Sequence, residues 1–296
     1  MFECRTPKSQ QEFDQYYHLR WMILRKPLNK IQGSEKDGLE EQSVHRAIFD
    51  VKGDVVAVAR LHFSGMFSAQ IRYMAVADNF QGQGLGQQLV IALEEFAISL
   101  GINQISLKAR EQAVNFYQKL SYTNICFSHL LFGKIKHFNM EKKLVQRRSN
   151  LDNLSTELQN TWHKTIPMSK AMNIEIGFYD QKKLVTTCDE AFNKNLHNTM
   201  FAGSIYTLAT LTGWGWVYLL IKQKNLDGNV VLADANIRYH SPVEGIAYAK
   251  TGGLLSTGSV DDLQDKKKVK LHVEVQVMSG EKVAATFKGL YFVLPN

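Results

Sequence analysis

The chain has 296 residues, 45% hydrophobic and 21% charged. That is enough apolar material for two cores and about two domains. Its formal net charge is +7, yet the basic residues are dispersed and no aromatic-interleaved basic array occurs. This argues against a nucleic-acid binder, while anionic small ligands and an acidic carrier protein both fit a mildly basic surface. The three cysteines, Cys4, Cys126 and Cys188, are far apart and form no C-x-x-C pair. Reduced thiols in a cytoplasmic protein are expected, and no metal. Residues 1–20 carry charges throughout and lack an apolar signal core.

In chain order, Phe2 to Arg5 reads as a short strand. Ser9 to Leu24 reads as a helix, because Phe13, Tyr16, Tyr17, Leu19, Met22 and Ile23 recur at three and four. Pro27 ends it. Asn29 to Gln42 is polar and interrupted by glycines, so it reads as a loop positioned to cover a binding site. His45–Asp50 and Asp54–Phe63 are two strands joined at Lys52-Gly53. Gln70 to Val76 is the next strand. It turns through Phe80-Gln81-Gly82-Gln83-Gly84-Leu85-Gly86 into the amphipathic run Gln87 to Leu100. Ile102–Ala109 is a strand, Gln112–Leu120 a short helix, and Asn124–Phe132 and Ile135–Glu141 complete the sheet.

A strand that turns through glycines into a helix start is built to hold a phosphate. Glycines let the backbone approach, and the first N–H groups of the helix have no carbonyl partners. The dinucleotide fingerprint G-x-G-x-x-G fails here, because the third glycine comes one residue early. A Walker A lysine is also absent. The segment Gln81-Gly82-Gln83-Gly84-Leu85-Gly86 instead matches the Gln/Arg-x-x-Gly-x-Gly/Ala motif, and the element order of residues 1–144 resembles the GNAT N-acetyltransferase family.

The resemblance implies that this loop binds the pyrophosphate of acetyl-CoA or acyl-CoA through Gln81, Gly82, Gly84, Leu85 and Gly86. The strand Tyr73–Val76, with Met74 and Val76, would pair with the pantetheine arm. A second match is Ala113-Val114-Asn115-Phe116-Tyr117-Gln118-Lys119-Leu120. It implies that Asn115 contacts the cofactor arm and that Tyr117 protonates the departing thiolate. Phe116 and Tyr117 also read as core aromatics. The family commonly has Gly-Phe or Gly-Tyr next, where this chain has Ser121-Tyr122. No acceptor base stands out. Glu35, Glu40, Glu41, His45 and Glu111 are candidates by type only, and each also reads as a solvated or capping group.

Lys142–Asn150 is charged and polar, with residues 145–150 as the linker proper. Beyond it, Leu151–Ile166 reads as a helix. Met172–Phe178 and Leu184–Asp189 are strands around Asp180-Gln181-Lys182, and Ala191–Asn198 is a polar loop. Thr199–Lys222 is a long helix without a charge until Lys222. It would span a bilayer, but its mean hydropathy is modest and strands follow it, so it reads as a helix wrapped by a sheet and no membrane is expected. Four strands follow: Val230–Tyr239, Ile246–Thr251, Val269–Met278 and Val283–Val293. The last two form a hairpin at Ser279-Gly280, and Gly258–Lys268 is an exposed connection.

Helix, two strands, loop, long apolar helix and four strands is the order of a hotdog domain. The motif Asn193-Lys194-Asn195-Leu196-His197-Asn198-Thr199-Met200-Phe201-Ala202-Gly203-Ser204 and the later Tyr239-His240-Ser241-Pro242-Val243 carry the resemblance. Residues 151–296 are similar to the hotdog thioesterase-like domains fused behind GNAT domains in proteobacteria, a type that resembles malonyl-ACP decarboxylases as well as thioesterases. The fold class expected is therefore α+β, a GNAT acyltransferase fold followed by a hotdog fold in which an antiparallel sheet wraps a long helix.

The resemblance implies an acyl-thioester enzyme of fatty-acid metabolism, acting on thioesters of acyl carrier protein or CoA. It also implies a homodimer formed through the hotdog domain. Decarboxylation of a malonyl thioester needs donors on the thioester oxygen and an unsolvated place for the carboxylate. Asn193, Asn195, Gly203 and Ser204 are the candidates. Hydrolysis needs a base or nucleophile, and Asp189, Glu190 and His197 keep that alternative open. Asn193 and Asn195 also read as turn formers, and Trp214 and Trp216 as core or dimer packing. A third alternative is that the GNAT half is a non-catalytic acyl-CoA sensor.

Overall fold

The computed structural model describes residues 2–144 and 151–296. The expected linker at 145–150 lies outside the described residues. The chain divides into two compact units, Met1–Val145 and Gln146–Asn296.

In the first unit the elements are β1 (Glu3–Arg5), α1 (Gln10–Leu24), β2 (Val44–Phe49), β3 (Val55–Gly65) and β4 (Ser68–Val76). They continue with α2 (Leu85–Ile98), β5 (Gln104–Arg110), α3 (Val114–Lys119), β6 (Thr123–Leu131) and β7 (Ile135–Lys143). Ser9 caps α1 by accepting the Glu12 N–H at 3.2 Å, one of the donors a helix start leaves open. The β2–β3 turn is held by the Asp50 carboxylate, which accepts the Lys52 and Asp54 N–H groups at 2.8 and 3.0 Å. α2 buries Leu85, Leu89, Val90, Leu93 and Ala97 at helical spacing.

The strands form one sheet in the order β1-β2-β3-β4-β5-β7-β6. Every pairing is antiparallel except β4 with β5, which need the α2 crossover because parallel neighbours cannot be joined by a tight turn. This pair is the organising feature. β4 and β5 are in register from Ser68 with Gln104 to Ile71 with Leu107, and no further. On its other side β4 stays paired with β3 as far as Val76. The two parallel strands therefore splay after Ile71 and leave one edge of Arg72–Val76 open. Tyr73, at φ 54°, marks a bulge where the β3–β4 register shifts.

The second unit contains α4 (Leu151–Thr165), α5 (Pro167–Ala171), β8 (Glu175–Tyr179), β9 (Lys183–Thr187) and α6 (Ala202–Gln223). After these come β10 (Asn229–Tyr239), β11 (Ala247–Gly252), β12 (Ser256–Thr257), β13 (Val269–Ser279) and β14 (Lys282–Leu294). The sheet order is β10-β14-β13-β11-β9-β8, with β12 on β13, all antiparallel. α6 packs against β9, β10, β11, β13 and β14. Leu208, Ala209, Trp216, Val217 and Leu219 share a core with Val273, Val275, Val277, Phe287 and Tyr291. Two glycines inside α6 let neighbours approach. A Cβ on Gly213 would lie 2.5 Å from Tyr291 Oη, and one on Gly215 would lie 2.4 Å from the Trp162 ring. α6 is long and apolar enough to cross a membrane, but 61% of that window is buried inside this unit.

Four expectations need correction. β7 runs on to Lys143, two residues past the expected end at Glu141. The strand expected from Met172 begins at Glu175, because Pro167 opens the short helix α5 first. α6 starts at Ala202 rather than Thr199. The connection 258–268 is not simply exposed: a 3-10 turn at Asp261–Asp265 seats Val260 and Leu263 in the core.

Candidate functional site

In the first unit, the splayed strands open a cleft of about 490 Å³. Its walls are the free edge of β4 (Arg72 to Val76), the end of β5 (Lys108 to Arg110), the loop at Gln81 and Gly82, the start of α2, and Phe116 and Tyr117 of α3. An extended polar chain laid in it can bond the open backbone of β4 as a neighbouring strand would. At the far end of that edge the chain turns into α2. Gly82 and Gly84 take φ of 76° and 79°, a left-handed backbone that costs other residues. The first α2 bond runs from Gln88 N to Gly84 O, so the N–H groups of Leu85, Gly86 and Gln87 have no helical acceptor and face an incoming anion. Gly86 also gives room to Phe116, whose ring would sit 3.3 Å from a Cβ there.

Met74, Val76, Gln81, Gly82, Leu85, Gly86 and Tyr117 all line the cleft. Gly84 shapes the turn without lining it. Asn115 is exposed and lies off the lining, so the contact expected of it with the cofactor arm is not set up here. Tyr117 is buried, and its hydroxyl donates to Met74 Sδ at 3.7 Å. Burial raises its pKa far above the ordinary phenol value. The phenol therefore stays protonated, which a donor to a leaving sulfur requires.

The loop between α1 and β2 is tied down by charge. Glu40 accepts from Arg20 at 2.7 and 3.1 Å and from Arg60 at 2.8 Å. Asp37 accepts from Arg60 at 2.5 and 2.8 Å and pairs with Arg72 at 2.8 Å. The Arg20 guanidinium lies 3.7 Å from the centre of the Tyr73 ring. Burial works to raise the Asp37 and Glu40 carboxyls, but the arginines outweigh it and hold both below the usual carboxylate range.

These pairs correct the reading of the acid candidates. Glu40 is neither solvated nor free to act as a base. Glu35 is buried and accepts the Gly33 N–H at 2.7 Å. His45 is buried with Nε2 2.9 Å from Glu40 O. Glu41 and Glu111 are exposed, and none of the five lines the cleft.

What does line the other end was not singled out from the sequence. Arg110 on β5 stands opposite His137 on β7, and His137 stands opposite His129 on β6. Cross-strand partners share a face, and all three line the cleft. The two imidazoles stack with centroids 4.8 Å apart. His137 is buried, with Nδ1 3.1 Å from the Ile135 carbonyl. A carbonyl can only accept, so Nδ1 carries the proton and Nε2 the lone pair. Burial, together with His129, Arg110 and Arg25, keeps this ring neutral by lowering its pKa. The signal in the sequence was the spacing of two histidines across a hairpin, which has meaning only once the register is known.

In the second unit, the loop Asp189–Phe201 leads into α6. The Asn193 amide is buried and donates to Met172 O at 3.0 Å and Asp189 O at 2.7 Å. Asn195 donates to Thr199 Oγ1 at 2.9 Å and accepts the His197 and Thr199 N–H groups. Both side chains are thus committed to shaping the loop, which corrects their expected role as oxyanion donors. Asn198 takes the left-handed backbone, φ 58°, as an asparagine readily does.

The first α6 bond runs from Ile205 N to Phe201 O, so the N–H groups of Ala202, Gly203 and Ser204 precede it and stay open. The second motif abuts them. Tyr239 Oη donates to Ala202 O at 3.0 Å, and Val243 O accepts the Met200 N–H at 2.9 Å. Asp189 caps its own loop through Ala191 N at 2.7 Å, and Glu190 pairs with Lys194 at 3.2 Å. His197 is exposed. Trp216 is core, bonded to Ser256 Oγ at 3.1 Å, and Trp214 stacks on Tyr218.

Residues 9–122 match the model of the Acetyltransferase (GNAT) family, and residues 155–295 match the family described as "Putative thioesterase (yiiD_Cterm)". The chain joins a GNAT domain to a yiiD C-terminal thioesterase-family domain. The GNAT domain is 27% identical over 135 residues to an uncharacterized N-acetyltransferase, YjcF, of Bacillus subtilis, covering 46% of this chain and 95% of that one. A solved structure described as a putative thioesterase from Shewanella oneidensis is 44% identical, covers 49% of this chain and 99% of its own, and has a TM-score of 0.47. A putative N-acetyltransferase from Lactobacillus plantarum is 18% identical over 49% of this chain and 99% of its own, with a TM-score of 0.45. The GNAT–hotdog chain thus carries two helix starts with open N–H groups, one per domain.

Proposed function

We propose that this protein is a cytoplasmic acyl-thioester enzyme of fatty-acid metabolism with a separate reaction centre in each domain. The GNAT domain binds acetyl-CoA or a related acyl-CoA and transfers the acyl group to an amine. The observation that carries this is the open edge of Arg72–Val76 leading to the unpartnered N–H groups of Leu85–Gln87. A pantetheine amide suits the first and a pyrophosphate the second. Tyr117, beside Met74, lies midway along that edge and donates to the departing sulfur.

The hotdog domain decarboxylates malonyl-ACP or malonyl-CoA to the acetyl thioester. Its support is the open N–H groups of Ala202, Gly203 and Ser204 at the positive end of a helix, beside a loop whose two carboxylates already have partners. Loss of carbon dioxide leaves an enolate on the thioester oxygen, whose carbon then takes a proton from solvent to give the acetyl thioester. N–H groups aimed there lower the barrier, each by about 3 kcal/mol, and no base is consumed. β8 and β10 lie at the ends of the sheet path, and a homodimer through this domain would cover such an edge. Hydrolysis is the second reading, favoured by the family's description as a thioesterase.

The test is to incubate the protein with malonyl-ACP, malonyl-CoA and a set of acyl-CoAs and to separate the products. Acetyl thioester with carbon dioxide supports decarboxylation. Free acid with released thiol establishes hydrolysis instead. Acetyl-CoA that binds but is passed to no amine makes the GNAT domain a sensor.

A further inference from the structure

The basic side chains that line the GNAT cleft are Arg25, Arg72, Lys108, Arg110, His129 and His137, and no aspartate or glutamate lines it. The carboxylates of Asp37 and Glu40 are committed to Arg20, Arg60 and Arg72. Arg25 and Arg110 differ from those arginines. Arg110 donates to Leu24 O at 3.4 Å, and Arg25 donates to Ser34 O and Leu24 O. Neither pairs with a carboxylate among the described residues, and both are half-buried. The loss of water and the charge of Arg25 both weigh on Arg110. Two half-buried guanidiniums side by side without an anion are costly unless a ligand supplies one.

CoA does not account for this pair by position. Its phosphates belong at Gly82–Gln87, where a Cβ on Gly86 would lie 3.3 Å from the Phe116 ring and 3.7 Å from Met74. Arg25 lies at the opposite end of the open edge, 5.5 Å from the Tyr73 ring and 5.9 Å from the Phe132 ring. From Tyr73 to Val76 a strand advances about 10 Å. Tyr117 and Met74 stand between the two ends, where the thioester would react. The arginine pair and the stacked histidines therefore border the side from which an acceptor enters.

We propose that the acceptor of the GNAT domain is a small amine that also carries a carboxylate, held by Arg110 and Arg25 with its nitrogen presented to His137. This rests on the transferase reading above. A polyamine or an aminoglycoside, cationic throughout, would meet only like charge here. The ammonium gives a proton to His137 Nε2, and the freed amine attacks the thioester carbon. The C–S bond breaks and the Tyr117 hydroxyl gives its proton to the departing thiolate. The Tyr117 phenolate takes the second proton of the attacking nitrogen, and the products are an amide, free CoA and a protonated His137 that returns its proton to solvent.

The experiment uses the full-length protein loaded with CoA and matched ligands: phenylalanine against phenethylamine, histidine against histamine, and spermidine. Calorimetry gives affinity, and thiol release with acetyl-CoA gives transfer. Each amino acid is expected to bind at least tenfold more tightly than its decarboxylated partner. Arg110→Gln is expected to close that gap by weakening the amino acid, and Arg110→Lys to retain part of it. Equal affinities within the pairs, or spermidine binding best, would overturn the proposal. Tight binding without thiol release keeps the anion site and removes the transferase reading. Release without any preference for the carboxylate does the reverse.

Discussion

Asp37 holds Arg60 by two hydrogen bonds, 2.5 and 2.8 Å long, and Arg60 is wholly buried. The pair fastens the loop between α1 and β2 to β3, beside the bulge at Tyr73. Asp37→Asn removes a partly exposed partner of the buried Arg60, which keeps Glu40 at 2.8 Å, so the cost is about 1 kcal/mol. Faster hydrogen exchange across residues 29–43 is the expected signature. Unchanged exchange there would show that the loop is held by other contacts.

The same pairs set a pH dependence. The folded-state pKa values of Asp37 and Glu40 are depressed, while unfolded carboxyls titrate near ~4. The stability they contribute is therefore complete above about pH 4 and is lost as the pH falls through the folded-state values. Denaturant titrations from pH 7 down to pH 3 should show a steeper acid loss in the parent than in Asp37→Asn.

At the glycine loop, Gly82 has a left-handed backbone, and a Cβ there would meet nothing within 4 Å. Gly82→Ala is thus compatible with the fold but carries backbone strain of about 1–2 kcal/mol and fills space next to the phosphate site. CoA affinity measured by calorimetry should fall roughly tenfold for 1.4 kcal/mol, with little change in secondary structure.

Tyr117→Phe keeps the ring against its neighbours and deletes the hydroxyl on Met74. Transfer should slow by about 100-fold, in the range expected when a general acid is lost, while acetyl-CoA affinity stays the same. An equal loss in affinity would mark Tyr117 as packing alone.

In the hotdog domain, two substitutions separate loop shaping from chemistry. Asn193→Ala strips donors from two carbonyls and should lower stability by about 2 kcal/mol. Ala202→Pro sits at the first position of α6, where proline is tolerated, after Phe201 in an extended conformation (φ −63°, ψ 136°). It deletes one open N–H. Decarboxylation should fall by about 100-fold with little change in melting temperature. Full activity in Ala202→Pro would remove that N–H from the mechanism.

The reach of sequence reading differs between the two sites. Gly82 and Gly84 were legible because the left-handed turn they make is a property of the residues themselves. Asn193 was misread because an amide in a polar loop looks the same whether it faces a substrate or a carbonyl. The deciding partner, Met172 O, is 21 residues away. Arg110, His137 and His129 were passed over because they are scattered in the chain and meet only through the β5-β7-β6 register.

By itself the sequence determined the two domains and their order, the glycine turn before α2 and the long helix wrapped by a sheet. These rest on local periodicity and backbone preference, which act between near neighbours. Tertiary structure alone decided which polar groups are free. It committed Glu40, Asn193 and Asn195 to partners, left the N–H groups of Ala202–Ser204 open, and gathered the arginine pair and stacked histidines at one end of a cleft. A hydrogen bond or ion pair is settled by distance and burial, and neither is written in the order of the residues.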